Sequence, residues 1–330
     1  MKIIFDLRSV GLGNNGGSMT LIKSANALVE LEHEVYFIDS GKNQHTWTPL
    51  KAKHIVSKNI ADIPDADFII ATGYKSVAHT VNAPERLGTK AHWIRGWETW
   101  QMPEKRIVKT ILKAPTIKLV NGICLQRKLE TYNCDSTIIR PGYDLHELLP
   151  TSSREGRKRI TLGGLYAHKK HWKIKRTQWI FDVYKELKSR HNNIDLWMFG
   201  NDAIAGGLVD NYFQQPTIKQ KNYLYNNIDI WLSPAMQEGL HMPPAEAMMT
   251  GCPVVGTNAE MSGTADYLIN DFNGIVANNK FESFSTNVEK LVIDENKRLK
   301  FGKNAVITMK RMGDRKHNMN ILINYLMGII

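Results

Sequence analysis

The chain has 330 residues, 42% hydrophobic and 23% charged, a composition that supports packed cores and excludes a long disordered or fibrous segment. Three cysteines, Cys124, Cys134 and Cys252, are too few for a disulfide framework and lack the paired spacing of a zinc or redox site. The formal charge of +11 favours an anionic partner, whether nucleic acid, an acidic membrane surface or a phosphorylated substrate.

The length exceeds one core, so two domains with a cleft between them are expected. In the first half, β-rich runs at 2–7, 34–39, 67–71, 90–95, 117–120 and 137–139 alternate with helical stretches, the pattern of a helix-covered parallel sheet. Leu21, Ala25, Leu28 and Leu31 share one face of a helix over 18–32, with Ser18 and Asn15 both candidate N-caps. The unpatterned stretch 145–156 reads as a linker. Beyond it the alternation restarts, with strands at 159–162, 194–199, 228–232 and 253–256 and helices at 172–190 and 243–250. From Phe281 onward the pattern is helical. The expected domains are 1–147, 148–310 and a C-terminal helix over 311–330 that returns to the first domain. The N-terminal apolar run is broken by Asp6 and Arg8, and no apolar stretch approaches 18 residues. A soluble cytosolic protein follows as the expectation.

The segment 233–255 carries the most chemistry. It reads as strand, loop, helix, turn and strand, with Pro243 and Pro244 at the helix opening and Gly251 and Pro253 at its close. A helix start at the carboxyl end of a parallel strand holds phosphate through free N–H groups and its positive dipole end. In this reading Glu246 lies in the first turn, facing ribose hydroxyls, and Glu238 lies in the loop. Caps and strands account for the framework, but not for these two carboxylates.

The run Glu238-Gly239-Leu240-His241-Met242-Pro243-Pro244-Ala245-Glu246-Ala247-Met248, closing with Gly251-Cys252-Pro253-Val254-Val255, resembles the Glu-x7-Glu signature of retaining GT-B glycosyltransferases of family four. It departs from that signature at Leu240 and at His241, where the family commonly has glycine. The resemblance implies an α/β GT-B fold of two Rossmann-like domains facing each other across a cleft, with a nucleotide-sugar donor held mainly by the second. It implies donor contacts from Gly239, Leu240, His241, Met242 and Glu246, and from Gly16 and Gly17 in the Gly-rich loop 13–17. Residues 162–170 resemble the family's Val-Gly-Arg-Leu-x-x-x-Lys-Gly, which assigns Lys169 to the donor diphosphate. Gly164 stands where the arginine belongs, so Lys170, Lys173 or His168 is the expected substitute.

Arg95 and Glu98, after the strand at 90–95, occupy a region where the family often has a sugar-contacting histidine. With Glu238 they are the candidate catalytic residues. Trp97 and Trp100 offer flat faces for a sugar or base. Residues 154–176 hold nine Lys or Arg and one acid, a density that also suits a polyanion. No Asp-x-Asp motif of the kind that metal-dependent GT-A transferases use is recognised, so no metal and no cofactor beyond the donor substrate are expected. The implied reaction is retaining transfer of a sugar from a nucleotide-diphosphate sugar to an acceptor hydroxyl of a cell-envelope or polysaccharide glycan, with peripheral contact at the inner membrane face. The alternatives are a transferase acting on hydroxylated bases in DNA, and a nucleotide-sugar epimerase, hydrolase or silent binder.

Overall fold

The computed structural model describes residues 1–41, 48–57, 59–99, 102–167 and 172–330, and the backbone but not the side chain of Trp172. The chain divides into two compact units, residues 1–142 with 314–330, and residues 143–313.

Unit 1 contains β1 (Lys2–Asp6), α1 (Gly16–Glu30), β2 (Glu34–Asp39), β3 (Lys53–Val56), β4 (Phe68–Ala71), α2 (Tyr74–Val81), β5 (Thr89–Ile94), α3 (Glu104–Lys113), β6 (Ile117–Val120), α4 (Ile123–Glu130) and β7 (Thr137–Ile138). All pairings are parallel, in the order β3-β2-β1-β4-β5-β6-β7. This is a doubly wound sheet whose order reverses between β1 and β4. Its central strands are covered on both faces, so they read as unbroken apolar runs, Ile3-Ile4-Phe5 and Phe68-Ile69-Ile70, all fully buried. Of the two candidate caps of α1, Asn15 is the one used: its Oδ1 accepts from the Ser18 N–H at 3.0 Å.

Unit 2 contains β8 (Ile160–Tyr166), α5 (Trp172–Lys175), α6 (Thr177–Arg190), β9 (Ile194–Gly200), β10 (Asn211–Gln214), α7 (Ile218–Asn227), β11 (Ile230–Ser233), α8 (Met242–Met249), β12 (Val254–Thr257), β13 (Gly274–Ala277), α9 (Phe281–Ile293) and α10 (Glu295–Met312). Its sheet is again parallel, ordered β10-β9-β8-β11-β12-β13. The chain then returns to unit 1 as α11 (Arg315–Met327), which packs on α1 and buries Met319, Leu322, Ile323 and Leu326 in that core.

Three strands escaped the apolar pattern, and all three are edges: β3, β10 and β13. In β3 and β10 the incomplete cover of an edge lets polar residues mix with apolar ones, as in Lys-His-Ile-Val and Asn-Tyr-Phe-Gln, whereas β13, Gly-Ile-Val-Ala, is apolar and largely buried. The single helix expected over 172–190 is two, because Arg176 between them adopts the left-handed region at φ 51°. Among the described residues no helix is long and apolar enough to cross a membrane.

Candidate active site

In unit 2 the segment after β11 forms the loop and helix that its sequence predicts, with two corrections. Helix α8 opens at Met242, so Glu246 is its fifth residue and lies beyond the first turn. Pro243 and Pro244 stand at the second and third positions, where they carry no N–H, so the helix start presents fewer donors than its sequence position promises. The loop supplies them instead. Among the described residues the backbone N–H groups of Gly239, Leu240 and Met242 meet no acceptor.

The loop is held from the far side by the segment after β12. Glu238 N–H donates to Met261 O at 2.7 Å and His241 N–H to Gly263 O at 3.0 Å. Gly263 sits at φ 71°, and a Cβ there would lie 2.5 Å from Glu238 Cβ, so only glycine allows the two strands of loop to approach. The hydroxyl of Tyr267 donates to the His241 carbonyl. Leu240 turns its side chain into the core, which leaves its backbone to the site.

Glu238 is paired by Lys175, the last residue of α5, whose ammonium contacts Oε1. Burial is the largest single influence on this carboxyl and works against its ionisation, but the charge and hydrogen bond of Lys175, with His241 adding to them, together outweigh it and hold the group below its usual range. His241 is 5% exposed. Its Nδ1 lies 3.0 Å from Ser233 Oγ, and its Nε2 lies 3.5 Å from Glu238 Oε1 with no hydrogen bond. Burial pushes its pKa down to about 4, leaving the ring neutral at pH 7. Glu246 accepts from Tyr225 Oη at 2.7 Å and from Lys221 Nζ at 3.3 Å. The two carboxylates therefore stand in different settings, one by a lysine and an imidazole, the other by a phenol and a lysine.

Sequence reasoning placed the donor cation at Lys169; that residue, with His168 and Lys170, lies outside the described residues, as does Trp100. Lys173 is exposed. Lys175 was missed. The available signal was its place just before the helix over 177–190, where a side chain at the carboxyl end of a parallel sheet meets the site. Gly164 faces the core: a Cβ there would lie 2.8 Å from Ile180 Cδ1 and 3.1 Å from its Cγ2. Much of the basic stretch 154–176 is consumed inside the unit. Arg154 caps carbonyls of Tyr225, Ile228 and Thr250, Arg157 pairs with Asp229, Arg159 with Asp195, and Arg176 lies over the Trp179 ring.

In unit 1 the predicted residues gather at the carboxyl ends of β1, β4 and β5. Gly16 and Gly17 open α1. Arg95, the first residue after β5, donates from Nη1 to Gly17 O at 2.5 Å and from Nη2 to Thr72 O at 2.9 Å. Burial lowers its pKa to about 10, against the opposing pull of Glu98. Glu98 sits at the start of α2, where the Tyr74 N–H bonds its carboxylate; burial, the larger influence, leaves its pKa raised. Trp97 is only 3% exposed. It stacks on Tyr132 beneath Lys128 and donates to Glu104, so its face is used in packing.

Comparison with known proteins bears on the fold. Residues 172–307 match the family described as glycosyl transferases group 1. A search of curated proteins returns no match. Among solved structures, Alr3699/HepE of Anabaena, in complex with UDP and glucose, superposes with a TM-score of 0.77 at 14% identity, over 99% of this chain and 100% of that one. The sucrose-phosphate synthase of Thermosynechococcus elongatus gives 0.75 at 12%, over 100% of both chains. TarM of S. aureus, in complex with UDP and α-GlcNAc-glycerol, gives 0.63 at 16%, over 78% of this chain and 55% of that one, so this chain spans about half of TarM. At these identities the likeness is one of fold: two Rossmann-like units in the GT-B arrangement of elements.

Proposed function

We propose that the chain is a retaining glycosyltransferase that moves a sugar from a nucleotide-diphosphate sugar to an acceptor hydroxyl of a cell-envelope or polysaccharide glycan. The observation that carries this reading is the loop 238–242: three free amides following Glu238, whose carboxylate pairs with the Lys175 ammonium, with Glu246 next in α8. The amides and Lys175 stabilise the departing diphosphate, and Lys169 adds to them. Glu238 receives the donor sugar, Glu246 the ribose, and the backbone of Gly239, Leu240, His241 and Met242 lines the diphosphate. Gly16 and Gly17 contact the donor, and Arg95 and Glu98 orient the attacking hydroxyl. No metal is required.

The net charge and α3 support a cytosolic enzyme that docks on an anionic membrane surface. Helix α3 buries Ile107 and Ile111 and exposes Lys105, Arg106, Lys109 and Lys113, none paired with a carboxylate among the described residues. The 154–176 stretch, largely engaged inside unit 2, gives little to a DNA acceptor.

The test is product analysis with UDP-, GDP-, ADP- and dTDP-sugars in the presence and absence of glycan acceptors. Acceptor-dependent nucleotide release with retention at the anomeric carbon is expected. Release indifferent to acceptor assigns the chain to hydrolases, and inversion refutes the retaining step.

A further inference from the structure

The imidazole of His241 stands where glycine is common in the signature, yet it is neither exposed nor idle. It is buried at the N-cap of α8, its backbone N–H is committed to Gly263 and its carbonyl to Tyr267. The ring's position is therefore fixed at both ends of the residue. On one side Nδ1 meets Ser233 Oγ at 3.0 Å, and Ser233 is itself 2% exposed at the end of β11. On the other side Nε2 faces Glu238 Oε1 at 3.5 Å and has no hydrogen-bond partner.

These contacts choose a tautomer. If Nδ1 carried the proton, the lone pair of Nε2 would point at a carboxylate oxygen, an arrangement of two acceptors with nothing between them. If Ser233 donates to Nδ1, the proton sits on Nε2 and faces the carboxylate, the favourable alternative. Lys175 contacts the same oxygen, Oε1, and its charge disfavours a second cation in the ring. Oε1 is thus held by Lys175 and faced by Nε2, while Oε2 has no partner among the described residues.

We propose that His241 is a positioning residue: a neutral imidazole, set as the Nε2–H tautomer by Ser233, that fixes the rotation of the Glu238 carboxylate so that Oε2 is presented to a hydroxyl of the donor sugar. This rests on the donor-site reading above. A loss of the Nε2–H group therefore frees the carboxylate to turn, which slows the transfer step without weakening the hold on the diphosphate.

Nitrogen NMR of the full chain with 15N-labelled histidine, together with kinetics of His241→Leu, His241→Gln and Ser233→Ala, tests this. His241 is expected as the Nε2–H tautomer at pH 7, and Ser233→Ala to populate the other form. With UDP-, GDP-, ADP- and dTDP-glucose as probes, His241→Leu is expected to lower kcat by about tenfold while nucleotide diphosphate affinity stays within about twofold. His241→Gln, which keeps an N–H near the same place, is expected to recover most of the loss. An Nδ1–H tautomer in the unaltered protein, or Gln as impaired as Leu, overturns the proposal while leaving donor binding intact. If none of the four nucleotides binds the unaltered protein, the donor-site reading fails, and this proposal with it.

Discussion

Replacing Lys175 by methionine removes the cation from Glu238 while keeping the stem of the side chain. The pair's side chains are 28% and 14% exposed. Breaking a fully buried ion pair costs roughly 3 to 5 kcal/mol, and partial exposure reduces this to about 2 kcal/mol, or roughly 4 to 8 °C in the melting temperature of a unit this size. The dependence on pH is the sharper signature. In the unaltered protein the Glu238 carboxyl lies below its usual range, so it contributes stability above its unfolded pKa that is lost as pH falls through its folded one. Without Lys175, burial dominates and pushes the folded pKa above the unfolded one. The variant then folds with a proton on Glu238, is most destabilised at high pH and recovers as pH falls. Thermal melts from pH 5 to 8 should show the gap to the unaltered protein widening with pH, and Lys175→Met with Glu238→Gln should close much of it. A single Lys175→Met variant that melts like the unaltered protein at every pH would refute the electrostatic account of this pair.

Two further outcomes follow from packing and titration. Gly164→Arg, which restores the residue of the family signature, forces its Cβ to 2.8 Å from Ile180 and is expected to cost roughly 1 to 3 kcal/mol with no gain in nucleotide affinity; tighter binding at unchanged melting temperature would contradict this. His92 in unit 1 and His241 in unit 2 have pKa values lowered by burial to about 3 and about 4. The unfolded chain therefore takes up protons from pH 6.5 downward that the folded units refuse, and each unit is expected to lose about 2 kcal/mol between pH 8 and pH 5. Denaturant unfolding of His92→Asn should show a shallower acid loss in unit 1, and an unchanged loss would count against the assignment.

The buried strands were legible because parallel strands covered on both faces must be apolar throughout, as in β1 and β4. The edge strands β3 and β10 were not, since their incomplete cover lets polar residues interrupt the pattern. Glu238 and Glu246 stood out in the sequence because nothing in a cap or a strand requires them. Their partners did not. Lys175 is 63 residues from Glu238 in the chain, and the break at Arg176 that aims it toward the loop depends on one left-handed residue with no glycine to announce it. The count of cations in 154–176 misled in the opposite direction: half-buried arginines such as Arg154 serve backbone carbonyls, and composition does not distinguish them from exposed ones.

The central claim is that the loop 238–242 and the start of α8 hold a nucleotide-diphosphate sugar. Calorimetric titration of UDP-, GDP-, ADP- and dTDP-glucose into the unaltered protein, Glu246→Ala and Glu238→Ala measures it directly. One nucleotide is expected to bind, with Glu246→Ala weakening both the sugar nucleotide and its free diphosphate, and Glu238→Ala weakening only the sugar nucleotide. Undiminished affinity in both variants would contradict the account.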